Sequence, residues 1–140
     1  MLLLFSCNSS TKFEKTVTFE NGIWDRFKPL EFTVPIKSTG QHDIIIVISH
    51  TSEFQYDRLP FHMTITSPSG EMREKEYELI LRNNEGKFLS VEKSGGEFSY
   101  EEVIRKDFPF GEKGTYIIKI ENLIPKVETS EIRSFSLIIK

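Results

Sequence analysis

The sequence predicts an all-β chain, an antiparallel β-sandwich of jelly-roll type with about seven to nine strands. Three observations lead there. Apolar and polar residues alternate along most of the chain, which is the period of a half-buried strand. The 140 residues include 12 Phe and no Ala; Ala is the best helix former, whereas Phe, Ile, Thr, Tyr and Val suit a pleated surface. Clusters of Gly, Pro, Asn and Ser interrupt the alternation at the spacing of sandwich turns.

The elements follow in order. Phe13, Lys15, Val17 and Phe19 share one face of a first strand, which Asn21-Gly22 turns. Leu30, Phe32, Val34 and Ile36 alternate with Glu31, Thr33 and Pro35. Pro35 lacks a ladder donor and places this strand at a sheet edge or near a strand end. After Ser38-Thr39-Gly40, the β-branched run from Asp43 to His50 is the best candidate for a central strand. Thr51 to Pro60 is polar and aromatic and reads as a longer connection. Phe61, Met63 and Ile65 begin the next strand, ended by Ser67-Pro68-Ser69-Gly70. Tyr77, Leu79 and Leu81 mark another, closed by Asn83-Asn84-Glu85-Gly86. Phe88 to Val91 is weak, and Tyr100 to Lys106 fits a strand or a single helical turn. Phe108 to Gly111 reads as a turn feeding the strand of Tyr116, Ile118 and Ile120. The last strand runs from Arg133 to Lys140. Ile44, Ile46, Ile48, Phe32, Val34, Ile118, Ile120 and Leu137 are the expected core.

Composition excludes several classes of function. The net charge of −3 mixes both signs, without the basic stripe of a nucleic-acid binder. After residue 7 no apolar run approaches the roughly 18 residues of a spanning helix. His42 falls in a turn, His50 at a strand end and His62 on a polar strand face. Zinc needs three or four N or S ligands, and no H-x-x-x-H or C-x-x-C pattern occurs, so surface or rim histidines are expected and neither metal nor cofactor. Glu74, Glu76 and Glu78 share one strand face and read as a solvated surface. No nucleophile motif, Walker loop or dinucleotide fingerprint is present. The chain reads as non-enzymatic. Of the aromatics near connections, Trp24, Phe54 and Tyr56 could form a stacking platform for a sugar; capping the open ends of the sandwich is the commoner role.

Cys7 is the sole cysteine. It follows Leu4-Phe5-Ser6, an aliphatic residue at minus three and a small one at minus one, the pattern at which bacterial lipoproteins are diacylated. A lone cysteine forms no internal disulfide, and acylation accounts for it. Residues 1–7 then read as a truncated lipoprotein signal without a basic n-region, 8–12 as a tether, and 13–140 as one β-sandwich domain.

The lipobox Cys7, Trp24, Pro29-x-x-Phe32, an aliphatic strand, the aromatic loop from Phe54 through Tyr56 to Leu59, the Pro68-x-Gly70 turn, and Phe108-Pro109 leading through Gly114-Thr115-Tyr116 to Ile120-Glu121 occur in that order. In this the chain resembles the gliding motility lipoprotein GldH family of the Bacteroidota. It departs from the family at His50, where Arg is usual, at Arg58, where Asn is usual, and at Ile124-Pro125-Lys126-Val127. The resemblance implies an outer-membrane lipoprotein of the gliding apparatus and the coupled type IX secretion system, without catalytic activity, whose partners are the membrane and other envelope proteins. Asn8-Ser9-Ser10 lacks the acidic run resembling a surface-export signal, so a periplasm-facing position is expected. Candidate partner-binding residues are Phe54, Tyr56, Arg58 and Trp24. The alternative is a carbohydrate-binding lipoprotein module using the loop aromatics.

Overall fold

The computed structural model describes residues 11–140, so Cys7 and residues 1–10 lie outside the described residues. Among the described residues the strands are β1 (Phe13–Thr18), β2 (Ile23–Asp25), β3 (Leu30–Ile36), β4 (Gly40–Thr51), β5 (Arg58–Thr66), β6 (Met72–Ile80), β7 (Val91–Glu92), β8 (Glu97–Phe110), β9 (Gly114–Asn122), β10 (Glu128–Ser130) and β11 (Ile132–Ile139). One sheet has the order β1-β11-β4-β8-β7 and faces a second of order β3-β9-β5-β6; β2 and β10 form a small ribbon. Every pairing is antiparallel. The eight strands longer than three residues make the all-β sandwich that the alternation predicts.

The alternation explains the faces. Ile44, Ile46 and Ile48 on central β4 point inward, and the eight residues expected in the core are all fully buried. Phe135 on β11 packs across the interior against Phe32 and Phe61, with ring centroids 6.2 and 6.0 Å away. Each such ring taken from water contributes about 1.5–3 kcal/mol.

The edges are guarded, as exposed ladder groups must be. Pro35 lies on β3, an edge strand, as its missing N–H requires. Edge strand β6 carries charges at Arg73, Glu74, Lys75, Glu76 and Glu78. β8 carries two bulges. His42 opposes Phe108 and Ile44 opposes Arg105, so three steps on β8 match two on β4; between Ile44 and Ile45, β8 moves two more, to Val103. At the first bulge Asp107 has φ +54, and its N–H donates to Asp43 Oδ1 at 2.9 Å. That bond, with help from Lys106, holds the Asp43 carboxyl below its ordinary range against a smaller opposing effect of desolvation.

Three segments differ from expectation. Tyr100 to Lys106 is the middle of the longest strand, and its period is broken by the bulges. Phe108 to Phe110 belongs to that strand, and the turn to β9 is only residues 111–113. The connection after β4 ends at Asp57, because Arg58-Leu59-Pro60 pairs with β6 opposite Ile80-Leu79-Glu78.

Gly114 opens β9 with φ +126, and a Cβ there would sit 3.0 Å from Pro68 of the β5–β6 turn. Both the backbone and the close approach require glycine. Gly114→Ala is expected to cost about 1–3 kcal/mol, read as a lower urea midpoint with an unchanged slope; a midpoint equal to wild type would refute the constraint.

Candidate functional site

The most chemically dense region is the end of the sandwich where β4 leaves the sheet. His50 continues the inward parity of Ile44, Ile46 and Ile48, so the fold carries an imidazole into the core, where it is fully buried. This corrects the expectation of a surface or rim histidine. Three phenylalanine rings enclose it: Phe88 at 4.6 Å, Phe54 at 5.4 Å and Phe98, stacked at 11°, at 5.6 Å between centroids. Its Nδ1 lies 2.8 Å from Thr51 O and its Nε2 2.7 Å from Ser90 Oγ. A carbonyl only accepts, so Nδ1 carries the proton; Nε2 then accepts from the Ser90 hydroxyl. Burial pushes the His50 pKa below 6.5; the bond to Thr51 opposes this, and the Arg82 charge reinforces it.

Ser90 belongs to the crossing from β6 to β8, residues 81–96. Arg82 pins that crossing a second time. Its Nη2 donates to Phe54 O at 2.6 Å, its guanidinium lies 4.1 Å over the Phe88 ring, and its Nε is 3.8 Å from Asp57. The connection of residues 52–57 is thus held from below by buried Phe54 and from the side by Arg82.

A hydroxyl donating to a neutral imidazole is also the geometry of a nucleophile and its base. Here three rings cover the imidazole, and none of the main cavities is lined by His50 or Ser90. The arrangement closes the end of the sandwich. Among the described residues no group of three or more His, Cys, Asp or Glu could hold a metal ion. His62 instead pairs with Glu74 at 2.9 Å on the outer face of the second sheet.

The expected site residues fall in different places. Phe54 is fully buried and Trp24 is 1% exposed. Trp24 stacks on Phe19 at 5.1 Å and meets Phe135 edge-on at 5.5 Å. Tyr56 is half-buried, with its ring edge-on to Phe54 at 5.6 Å. Arg58 is exposed and pairs with Glu78 at 2.7 Å. The structure brings Phe54 and Tyr56 together and keeps Trp24 apart on the β11 side. Neither Trp24 nor Phe54 offers a ring face to solvent, so the stacking platform of these three aromatics is not formed; both cap the core. Arg82 and Ser90 escape the sequence reading because they stand in a segment without period. The parity of His50 with the three isoleucines was the available signal for its burial.

The GldH lipoprotein family matches residues 11–139. The chain belongs to the GldH lipoprotein family. No curated protein matches it significantly. Membership makes this GldH-family chain a lipid-anchored cell-envelope protein related to gliding motility. Among its described residues no helix is long and apolar enough to cross a membrane.

Because the folded state disfavours protonated His50 while the unfolded chain binds a proton near pH 6.5, stability from this group is full above that pH and is lost as pH falls below it. The melting temperature of wild type is expected to fall between pH 7 and pH 5 by more than that of His50→Gln; equal declines would remove His50 from the account. Ser90→Ala leaves Nε2 unsatisfied and is expected to cost about 1–3 kcal/mol at pH 7, read by chemical denaturation.

Proposed function

We propose that this GldH-family protein is an outer-membrane lipoprotein, diacylated at Cys7 and facing the periplasm, that serves the gliding apparatus and its coupled type IX secretion through protein contacts and without catalysis. The family match over residues 11–139 carries the reading. The lipobox spacing of Leu4-Phe5-Ser6-Cys7 supplies the anchor position, and Asn8-Ser9-Ser10, without an acidic run, favours the periplasmic side. The sealed His50–Ser90 pair, a nucleophile-like arrangement among the described residues, favours a structural role. Of the loop residues expected to meet a partner, Tyr56 and Arg58 are accessible and Phe54 supports them from the core. A connection braced in this way is a suitable place for contact residues.

Acylation is tested by palmitate labelling and membrane fractionation. Wild type is expected to take up label and to sediment with membranes. Cys7→Ser is expected to take up none and to become soluble, since membrane affinity scales at about 0.8 kcal/mol per buried CH₂. A Cys7→Ser protein that stays membrane-bound would overturn the anchor. Protein contact is tested by cross-linking in the native envelope, where wild type is expected to yield discrete adducts with envelope proteins; their absence, or a turnover traced to the purified domain, would overturn the contact reading.

A further inference from the structure

Edge strand β6 and the stretch of β8 beyond its short pairing with β7 run along the same side of the sandwich and leave a seam between the sheets. On β6, Arg73, Lys75 and Tyr77 oppose the buried residues Ile65, Met63 and Phe61, so they face the interior side of the sheet where it opens to solvent. On β8, Arg105 opposes buried Ile44 and faces the same space. Phe108 is the floor. The Arg73 guanidinium lies 5.6 Å from its ring centroid and that of Arg105 lies 4.9 Å from it. The Lys75 ammonium sits 5.4 Å from the Tyr77 ring.

Among the described residues no ion pair or side-chain hydrogen bond joins Arg73, Lys75 or Arg105 to a carboxylate, whereas Arg58, Arg82, Lys106 and Lys119 each have an acidic partner. Of the nearby acids, Glu74, Glu102 and Glu112 are otherwise occupied or turned away, and Glu71 makes no ion pair with Arg73. Glu74 faces outward to His62. Glu102 accepts from the Tyr100 hydroxyl at 2.8 Å, whose proton is held by burial and by Glu102 up to about 12. Glu112 accepts from the Ser69 N–H and hydroxyl at 3.0 and 2.8 Å. Glu71 lines the wider end of the seam, a cavity of about 280 Å³ that shares Arg73 and Phe108 with the cationic stretch. Two guanidinium groups held at one ring keep their forked donors unspent, and such donors match carboxylates in bidentate geometry.

We propose that this seam binds an acidic segment of a partner protein, with Arg73, Lys75 and Arg105 taking its carboxylates. The proposal rests on the reading that the domain acts through protein contacts. Charge complementarity selects an anionic occupant, and spacing selects a peptide. Arg73 and Lys75 are two residues apart on one strand, about 6.6–6.8 Å, which is the separation of alternate side chains in an extended chain. Their heads are held on different rings, so they do not converge on one small anion. Arg105 reaches in from the other sheet, so a bound segment would bridge both edges.

The test uses full-length Cys7→Ser protein and a fluorescein-labelled short peptide of alternating Glu and Ser, followed by anisotropy. Binding is expected to weaken with added salt and to drop about tenfold or more in Arg73→Gln/Arg105→Gln. Lys75→Gln, on the other ring, serves as a second variant and is also expected to bind more weakly, and melting curves confirm that each variant folds. Arg133→Gln, on β11, is expected to bind like wild type. Unchanged binding by the double variant, equal binding of a Gln-Ser peptide, or displacement by millimolar inorganic phosphate would overturn the proposal. Envelope cross-links that persist unchanged in the double variant would overturn this site while leaving the contact reading standing.

Discussion

Phe135 is the point through which the two sheets and one end of the sandwich are joined. Its ring meets Phe32 and Phe61 of the opposing sheet and the edge of Trp24. Phe32 lies on an outer strand of the second sheet and Phe61 on an inner one. This one side chain on β11 therefore touches both an outer and an inner strand of the opposing sheet. A chain without Ala fills its interior with rings and β-branched residues, and such groups interlock in few arrangements. The β2–β10 ribbon docks on this centre through Trp24, with Thr129 opposite it in the ladder and Asn122 bonded to Thr129 at 2.9 Å. The burial of Trp24 is thus a packing requirement, and so is that of Phe54 beneath its connection.

The parts of the fold governed by local alternation were legible. Central β4, edge strand β3 with its proline, β9 and β11 stand where period and punctuation put them. What was not legible has a common cause, an interaction between distant residues. The first bulge of β8 sits where Asp107 adopts a left-handed conformation and gives its N–H to Asp43; no period within Tyr100–Lys106 records that. Arg58-Leu59-Pro60 reads as loop in isolation and becomes strand because β6 pairs with it. Polar and aromatic composition made Thr51–Pro60 look like a contact loop, yet the same composition serves a loop whose aromatic Phe54 is a plug and whose carbonyl is tied to Arg82.

The same distinction applies to the candidate sites. His50 was half-legible, since its parity with Ile44, Ile46 and Ile48 points inward, but Ser90 and the three rings around it come from elsewhere in the chain. On β6 the outward glutamates Glu74, Glu76 and Glu78 were read correctly as a solvated face. Their alternation partners Arg73 and Lys75 face the other way, and only the fold shows that this side opens beside Arg105. The two regions differ in kind. The His50 end is saturated, with bonds or ring contacts on every side of the imidazole. The seam is unsaturated, with cations positioned on rings and, among the described residues, no ion pair to them.

The height of the seam relative to the start of β1 follows from the register of the first sheet. Phe13 begins β1 six residues after Cys7, a length that spans at most about 20 Å. With the anchor proposed at Cys7, the domain stays within that distance of the bilayer. A single row crosses the first sheet from Phe13 through Ile139 and Ile44 to Arg105. Three inter-strand steps of about 4.8 Å separate its ends. Arg105 therefore stands level with the exit toward the anchor, on the opposite edge of the sheet, while the His50 end lies further along β4. With an anchor at Cys7 as proposed, a neighbour held at the same surface would meet the seam within a thin layer, which raises its effective concentration without any added contact.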